Sequence, residues 1–307
     1  LPFPRRRPLP SSSEFPEYHM KATAALLYNV FKVRIGLAIM ISALAGIAVM
    51  PATTLSAWQI TVLALSVLGS SAAAGAFNHL MERDLDAKMK RTQTRPFVTG
   101  RFHAGPAWYL GISALLAVSV GASAYVLNGM AALYVFLGAF VYGVVYTVWL
   151  KRRTAWNIVV GGLSGSFAVL AGAAAVDPAL SEPAIALAVV LFLWTPPHFW
   201  SLAAALSDDY ARAGVPMLPV VVGEKKAARI ILANTIALVV VSMVPTAFGL
   251  GWLYWAGAAV GGSLFLYRSL QYVADPTPAK AMKNFFASLI QLSLLVMGVL
   301  AGAMTGL

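Results

Sequence analysis

Apolar residues fall along this chain in nine long stretches, at about 33–50, 58–77, 106–127, 130–150, 156–176, 184–206, 228–248, 251–270 and 285–306. Each is close to the ~20 residues that carry an α-helix across a hydrocarbon core. Two of the joints are very short, Asn128-Gly129 and Gly249 to Gly251, and both use residues that suit tight turns. The pattern predicts an all-α transmembrane fold of nine helices. Residues 1–20 are rich in Pro, Ser and Arg and read as a disordered basic tail. Residues 21–307 then form a single membrane domain.

Composition narrows the class. Of 307 residues, 60% are hydrophobic and 11% are charged, whereas a soluble domain carries about 25% charged residues. There is no cysteine, which excludes a disulfide scaffold and a thiolate metal site. The tail lacks the apolar core and small-residue cleavage site of a signal peptide.

Charge sets the expected orientation. All 22 Lys and Arg lie in alternate segments: the tail and the start of the first stretch, then after the second, fourth, sixth and eighth. By the positive-inside rule the N-terminus is cytoplasmic and the C-terminus outside.

The 11 acidic residues are scarce enough for their placement to carry information. At the cytoplasmic end of the second stretch stand Asn78, Glu82 and Asp86. On a continuing helix they share one face within about 80° of arc, and Asp84 points away. Three oxygen-bearing side chains on one face suit a hard cation such as Mg²⁺; a solvated helix end balanced by nearby Arg is the plainer reading. Lys88, Lys90, Arg91 and Arg95 follow, and Lys151 and Arg152 end the fourth stretch. Such cations can hold a diphosphate, or they can serve the positive-inside pattern and anionic lipid headgroups.

A second acidic pair, Asp208 and Asp209, ends the sixth stretch on the same membrane face. Two opposed carboxylate clusters can hold two Mg²⁺ ions around a diphosphate and neutralise it as a leaving group. Asp86 and Asp209 are then the catalytic carboxylates. Asp208 can alternatively cap a following short helix. The sixth stretch also carries Trp194-Thr-Pro196-Pro197-His198-Phe199-Trp200. Its adjacent prolines predict a kink. His198 lies roughly 15 Å deeper than Asp208 at 1.5 Å per residue. An intramembrane histidine is a functional candidate by default, as a porphyrin contact, an iron ligand or a proton shuttle; a hydrogen bond between helices is the other reading. Tyr142, Tyr146 and Trp149 can line a prenyl chain or simply pack.

Together these motifs resemble the UbiA superfamily of intramembrane prenyltransferases. The superfamily mark, Asn-x-x-x-Asp/Glu-x-x-x-Asp, matches Asn78, Glu82 and Asp86. Further runs match the branch that farnesylates haem B: Glu82 to Asp86 with Met89, Arg91, Arg95 and Pro96; Tyr146 to Thr154 with Asn157; Trp194 to Trp200; and Asp209 to Pro219. The resemblance implies a bundle around a central cavity with a cytoplasmic active site in a bacterial inner membrane, a mitochondrial one fitting less well. It implies transfer of farnesyl from farnesyl diphosphate to the 2-vinyl group of haem B with Mg²⁺ as cofactor. His198, Trp194 and Tyr146 would line the haem pocket. The lipid bilayer is a further partner and a haem A synthase a pathway neighbour, with no nucleic acid involved. This chain departs from the pattern in two places. Asp208 and Asp209 are adjacent, with Arg212 where a second Asp is usual, and Ala168-Val169 stand where relatives carry two prolines. A superfamily member with a quinone-precursor or chlorophyll-like acceptor is the nearest alternative, and a transporter is the alternative of another class.

Overall fold

The computed structural model describes residues 15–51 and 55–305, and side chains from residue 23 onward. The described residues form helices, turns and bends, with no strand among them. In chain order the helices are α1 (Phe15–Val30), α2 (Val33–Ala48), α3 (Ala57–Met81), α4 (Arg83–Asp86), α5 (Pro106–Val126), α6 (Gly129–Phe140), α7 (Asn157–Gly161), α8 (Leu163–Val176), α9 (Glu182–Ala205), α10 (Ser207–Arg212), α11 (Leu218–Val222), α12 (Glu224–Val241), α13 (Trp252–Ala274) and α14 (Pro278–Thr305). A π-helix, Val141–Leu150, prolongs α6, and a 3₁₀ turn, Val244–Phe248, follows α12.

Seven helical segments among the described residues are long and apolar enough to cross a membrane, or eight if the bent pair Thr23–Val30 and Val33–Ala48 counts as one span. The remaining expected span, the eighth stretch at 251–270, corresponds to α13. At 23 residues it has the length, but Tyr267, Arg268, Ser269, Gln271 and Tyr272 in its last turns dilute its apolar character. Most of the expected tail, residues 1–14, lies outside the described residues. Helix α1 already begins at Phe15, so residues 15–20 are helical where disorder was expected. Pro16 does not prevent this, because a first-turn N–H has no partner within the helix.

Packing inside the bundle relies on small residues and hydroxyls, as it must where lipid gives no hydrophobic drive between helices. Helices α2 and α8 touch backbone to backbone. A Cβ on Gly172 would sit 1.8 Å from the carbonyl oxygen of Ala43, and one on Gly46 would sit 2.1 Å from that of Val169. Val169 belongs to the Ala168-Val169 pair, and α8 runs through it unbroken. Hydroxyls tie other helices together, with Ser70 donating to the Val135 carbonyl at 3.0 Å and Ser166 to that of Ala188 at 2.8 Å. Gly172→Ala is therefore expected to cost about 1–3 kcal/mol by overpacking. Gly111→Ala, which meets nothing within 4 Å, should leave stability unchanged or raise it. Thermal unfolding in detergent checks the pair, and equal melting of both variants would contradict the α2–α8 contact.

Exposed aromatic residues mark the two membrane boundaries. Trp58, Tyr125, Trp252 and Trp255 lie at one set of helix ends, and Tyr109, Trp149, Trp156 and Tyr267 at the other. The second set shares its side with the cationic loops. Cysteines placed at the exposed positions Gln93 and Arg153 should accordingly be labelled from the cytoplasmic side only, and one at Ala179 from the opposite side. Labelling of Gln93 and Ala179 from one side would overturn this topology.

Candidate active site

Helix α3 ends at Met81, and Glu82 adopts a non-helical conformation (φ −99°, ψ 12°) before the single turn of α4. The continuous helix expected over 78–86 is thus broken at its middle residue. Its register survives. Glu82 N–H still donates to the Asn78 carbonyl at 3.0 Å, and Asp86 N–H to that of Glu82 at 2.8 Å. Asn78, Glu82 and Asp86 consequently share one buried face, while the Asp84 side chain is 56% exposed.

Each buried acceptor on this face meets a cation or a hydroxyl. Lys151 Nζ donates to both Glu82 oxygens at 2.6 Å, and Arg95 Nη1 donates to Asp86 Oδ2 at 2.7 Å. Lys32 Nζ reaches Asn78 Oδ1 at 2.5 Å and the Tyr142 hydroxyl at 2.7 Å. Asn78 Nδ2 donates to Thr147 Oγ1 at 3.0 Å. Burial by itself would push the Glu82 carboxyl up, but Lys151 and Lys32 hold it below the usual carboxylate range. Asp86 goes the other way, because burial raises its carboxyl by more than Arg95 lowers it. Burial would lower the Lys151 ammonium, yet Glu82 carries it above the usual lysine range.

Two local irregularities build this arrangement. Lys32 lies between α1 and α2 with φ +48°, a left-handed conformation that an L residue adopts at a cost. It passes α3 at Gly75, where a Cβ would stand 3.3 Å from Lys32 Cβ. The π-helix is the other irregularity. Its wider i→i+5 turn ends with Lys151 N–H donating to the Tyr146 carbonyl at 2.9 Å. Residues four and five apart then lie on one side, which brings Tyr142, Tyr146, Thr147 and Lys151 together. The rings of Tyr142 and Tyr146 stack with centroids 5.7 Å apart. The ammonium groups of Lys32 and Lys151 lie 5.3 and 5.7 Å from the Tyr142 and Tyr146 centroids. Gly161 leaves room for Tyr146, since a Cβ there would meet its ring at 2.9 Å.

The second acidic pair is split. Asp209 is buried, pairs with Arg212, and accepts the Arg91 backbone N–H at 3.4 Å. Asp208 is exposed in the first turn of α10. It is not the N-cap, a place taken by Leu206, but a carboxylate there still favours the helix dipole. Lys90, Arg91, Ser207, Asp208, Asp209 and Arg212 line an opening of about 440 Å³. The segment after α4 thus bridges the two acidic ends, through Arg95 on Asp86 and Arg91 on Asp209.

Other expected site residues stand apart. The Arg152 guanidinium forks onto exposed Asp84 with both contacts at 2.7 Å, so it is engaged outside the buried face. Lys88 is exposed. Helix α9 continues through Pro196 and Pro197 as one helix. Hydroxyls serve carbonyls around the prolines, Thr195 donating to Leu191 and Ser201 to Pro197. His198 and Trp194 are buried between α9 and α14. His198 Nδ1 lies 2.7 Å from Ser288 Oγ, and Trp194 Nε1 donates to the Ser288 carbonyl at 2.8 Å. That is the hydrogen bond between helices that stood as the other reading of His198.

The site also holds residues that motif reading missed. Lys32 counted only as a topology charge, and Thr147 only as part of the run from Tyr146 to Thr154, with no role of its own. The available signal for Lys32 was a lysine at the very edge of an apolar run. Nothing in the spacing announces the π-helix.

Among the described residues no three or more His, Asp or Glu side chains gather into a metal cage. The donor set still fits Mg²⁺. That ion prefers oxygen donors and commonly takes one or two carboxylates together with substrate phosphates and waters. Glu82 and Asp86 from one side and Asp209 from the other supply such carboxylates on a cation-rich face.

Known proteins carry the same architecture. The UbiA prenyltransferase family profile matches residues 39–293. The chain is 59% identical over 281 residues to protoheme IX farnesyltransferase 2 of Paramagnetospirillum magneticum, covering 92% of this chain and 98% of that protein. It is 39% identical over 301 residues to the protoheme IX farnesyltransferase of Parvibaculum lavamentivorans, covering 96% and 94%. Among solved structures, digeranylgeranylglyceryl phosphate synthase superposes with a TM-score of 0.76 at 17% identity, over 92% of this chain and 99% of that one. A UbiA homologue from Archaeoglobus fulgidus bound to DMAPP and Mg²⁺ superposes with a TM-score of 0.67 at 16% identity, over 88% and 98%. These likenesses and the helical bundle exclude the transporter alternative: the chain is an integral membrane enzyme and belongs to the UbiA prenyltransferase family.

Proposed function

We propose that the enzyme transfers a farnesyl group from farnesyl diphosphate to a vinyl group of haem B on the cytoplasmic face of a bacterial inner membrane. The observation that carries this reading is the half-buried cluster of Lys32, Lys151 and Arg95 set against the buried Asn78, Glu82 and Asp86 and beside the stacked pair Tyr142–Tyr146. The names of the relatives supply the donor and the acceptor.

Asn78, Glu82 and Asp86 would hold Mg²⁺ from one side and Asp209 from the other. When bound, Mg²⁺ neutralises charge on the diphosphate. The basic side chains then receive the leaving group. The allylic C–O bond breaks and its electron pair departs with diphosphate, whose growing charge Lys32, Lys151 and Arg95 stabilise in a water-poor site. The faces of Tyr142 and Tyr146 stabilise the allylic cation, and the apolar bundle keeps early water away from it. The terminal vinyl carbon supplies the pair for the new C–C bond. Positive charge moves to the carbon next to the porphyrin, water adds there, and one proton is lost to leave a hydroxyl.

The reading is tested by diphosphate release from farnesyl diphosphate and Mg²⁺ by the purified enzyme. Release is expected to depend on haem B and to remain low with a phenolic quinone precursor. Equal or faster release with the phenolic acceptor would replace haem as the acceptor.

A further inference from the structure

Ser288 on α14 is fully buried, and its hydroxyl proton is already committed, since Oγ donates to the Phe285 carbonyl at 2.6 Å. A serine hydroxyl has one proton to give and lone pairs to receive. His198 Nδ1, 2.7 Å from the same Oγ, must then be the donor. This accounting puts the ring proton on Nδ1 and leaves the lone pair on Nε2.

The ring is also fixed in orientation. Trp194 stacks on His198 at 4.1 Å between centroids and Phe285 at 4.5 Å, tilted by 21° and 28°. Trp194 is itself pinned by its hydrogen bond to the Ser288 carbonyl. With the ring stacked on Trp194 and Phe285 and Nδ1 bound, the Nε2 edge remains. It has no hydrogen-bond partner among the described residues. Nε2 is not among the side-chain polar atoms sealed from solvent without a partner, so this edge of an otherwise buried ring stays open to a ligand.

We propose that His198 Nε2 is the axial ligand to the iron of the porphyrin acceptor, and that Ser288 is the positioning residue that fixes the tautomer and plane required for it. This rests on haem being the acceptor, as proposed above. A metal-binding imidazole typically donates its other N–H to an oxygen, which sets its orientation and raises its basicity. The aromatic stack holds the ring in place before the acceptor arrives, so little ordering remains to be paid on binding. Ligation uses the ring edge, which is why stacked faces do not oppose it.

The test uses the full chain in detergent, titrated with haem B and in parallel with iron-free protoporphyrin. The reduced wild-type haem complex should show an iron–histidine stretching band. His198→Ala should abolish the band and weaken haem binding at least tenfold, leave protoporphyrin binding unchanged, and recover the band with added imidazole. Ser288→Ala should keep haem bound but move the band to lower frequency, while Ser288→Thr should hold it in place. A wild-type haem complex without the band, or a band that survives in His198→Ala, overturns the proposal. If haem B is still turned over in that case, the proposed function stands. If haem B is neither bound nor turned over, both fail.

Discussion

Asp86→Asn is expected to lower turnover roughly 10²-fold or more, the scale of losing a charge that acts on the leaving group in the transition state. Asp84→Asn should cost far less, although the two residues are two apart and bear the same charge. Asp86 is buried and faces Arg95, whereas Asp84 is largely exposed and its partner Arg152 is exposed too. Pairs of that kind contribute about 0–1 kcal/mol. Folding should not confound the comparison. Asp86 has its carboxyl raised in the folded protein, so its ionisation opposes folding as pH rises through that range. Removing its charge at neutral pH is therefore not expected to lower the melting temperature. Turnover of both variants across a Mg²⁺ titration, with unfolding followed separately, checks this. Equal losses would mean that the 78–86 face is not where diphosphate is held.

The second large effect concerns Lys151. Lys151→Met leaves the buried Glu82 carboxylate without its partner, and breaking such a pair typically costs about 3–5 kcal/mol. Adding Glu82→Gln should restore much of the stability, because the uncompensated charge is gone, but not the activity. The sign of the pH dependence follows from both partners. Glu82 is held below its ordinary range, so its share is present above the unfolded carboxylate range and lost as pH falls through the folded one. Lys151 is raised, so its share is present below the unfolded lysine range and lost as pH climbs past the folded one. The pair is at full strength at neutral pH, where the variants should be compared by thermal unfolding. A Lys151→Met protein that melts like wild type would contradict a buried Lys151–Glu82 pair.

Much of the fold could be read from the chain because apolar runs of membrane-crossing length are a strong, local signal. The helix spacing of Asn78, Glu82 and Asp86 was equally local and held through a break at Glu82, because the i→i+4 backbone bonds persist on both sides of it. Asp209 was found but not told apart from Asp208, since which of two neighbours is buried depends on how α10 leaves α9. Lys32 was missed as a site residue because its partners, Asn78 and Tyr142, lie 46 and 110 residues away. The π-helix was missed because it is a departure from regular geometry that no apolar period reports. Lys151 and Arg152 could not be told apart for a similar reason: they are adjacent, and only the fold turns one toward Glu82 and the other toward Asp84.

The most direct measurement is the mass of the product formed by purified enzyme from haem B, farnesyl diphosphate and Mg²⁺ in heavy-oxygen water. The expected product is haem B extended by one farnesyl group and one hydroxyl, with the hydroxyl oxygen drawn from the labelled water. No farnesylated product from haem B, or a farnesylated product without the labelled oxygen, would contradict vinyl attack followed by water capture.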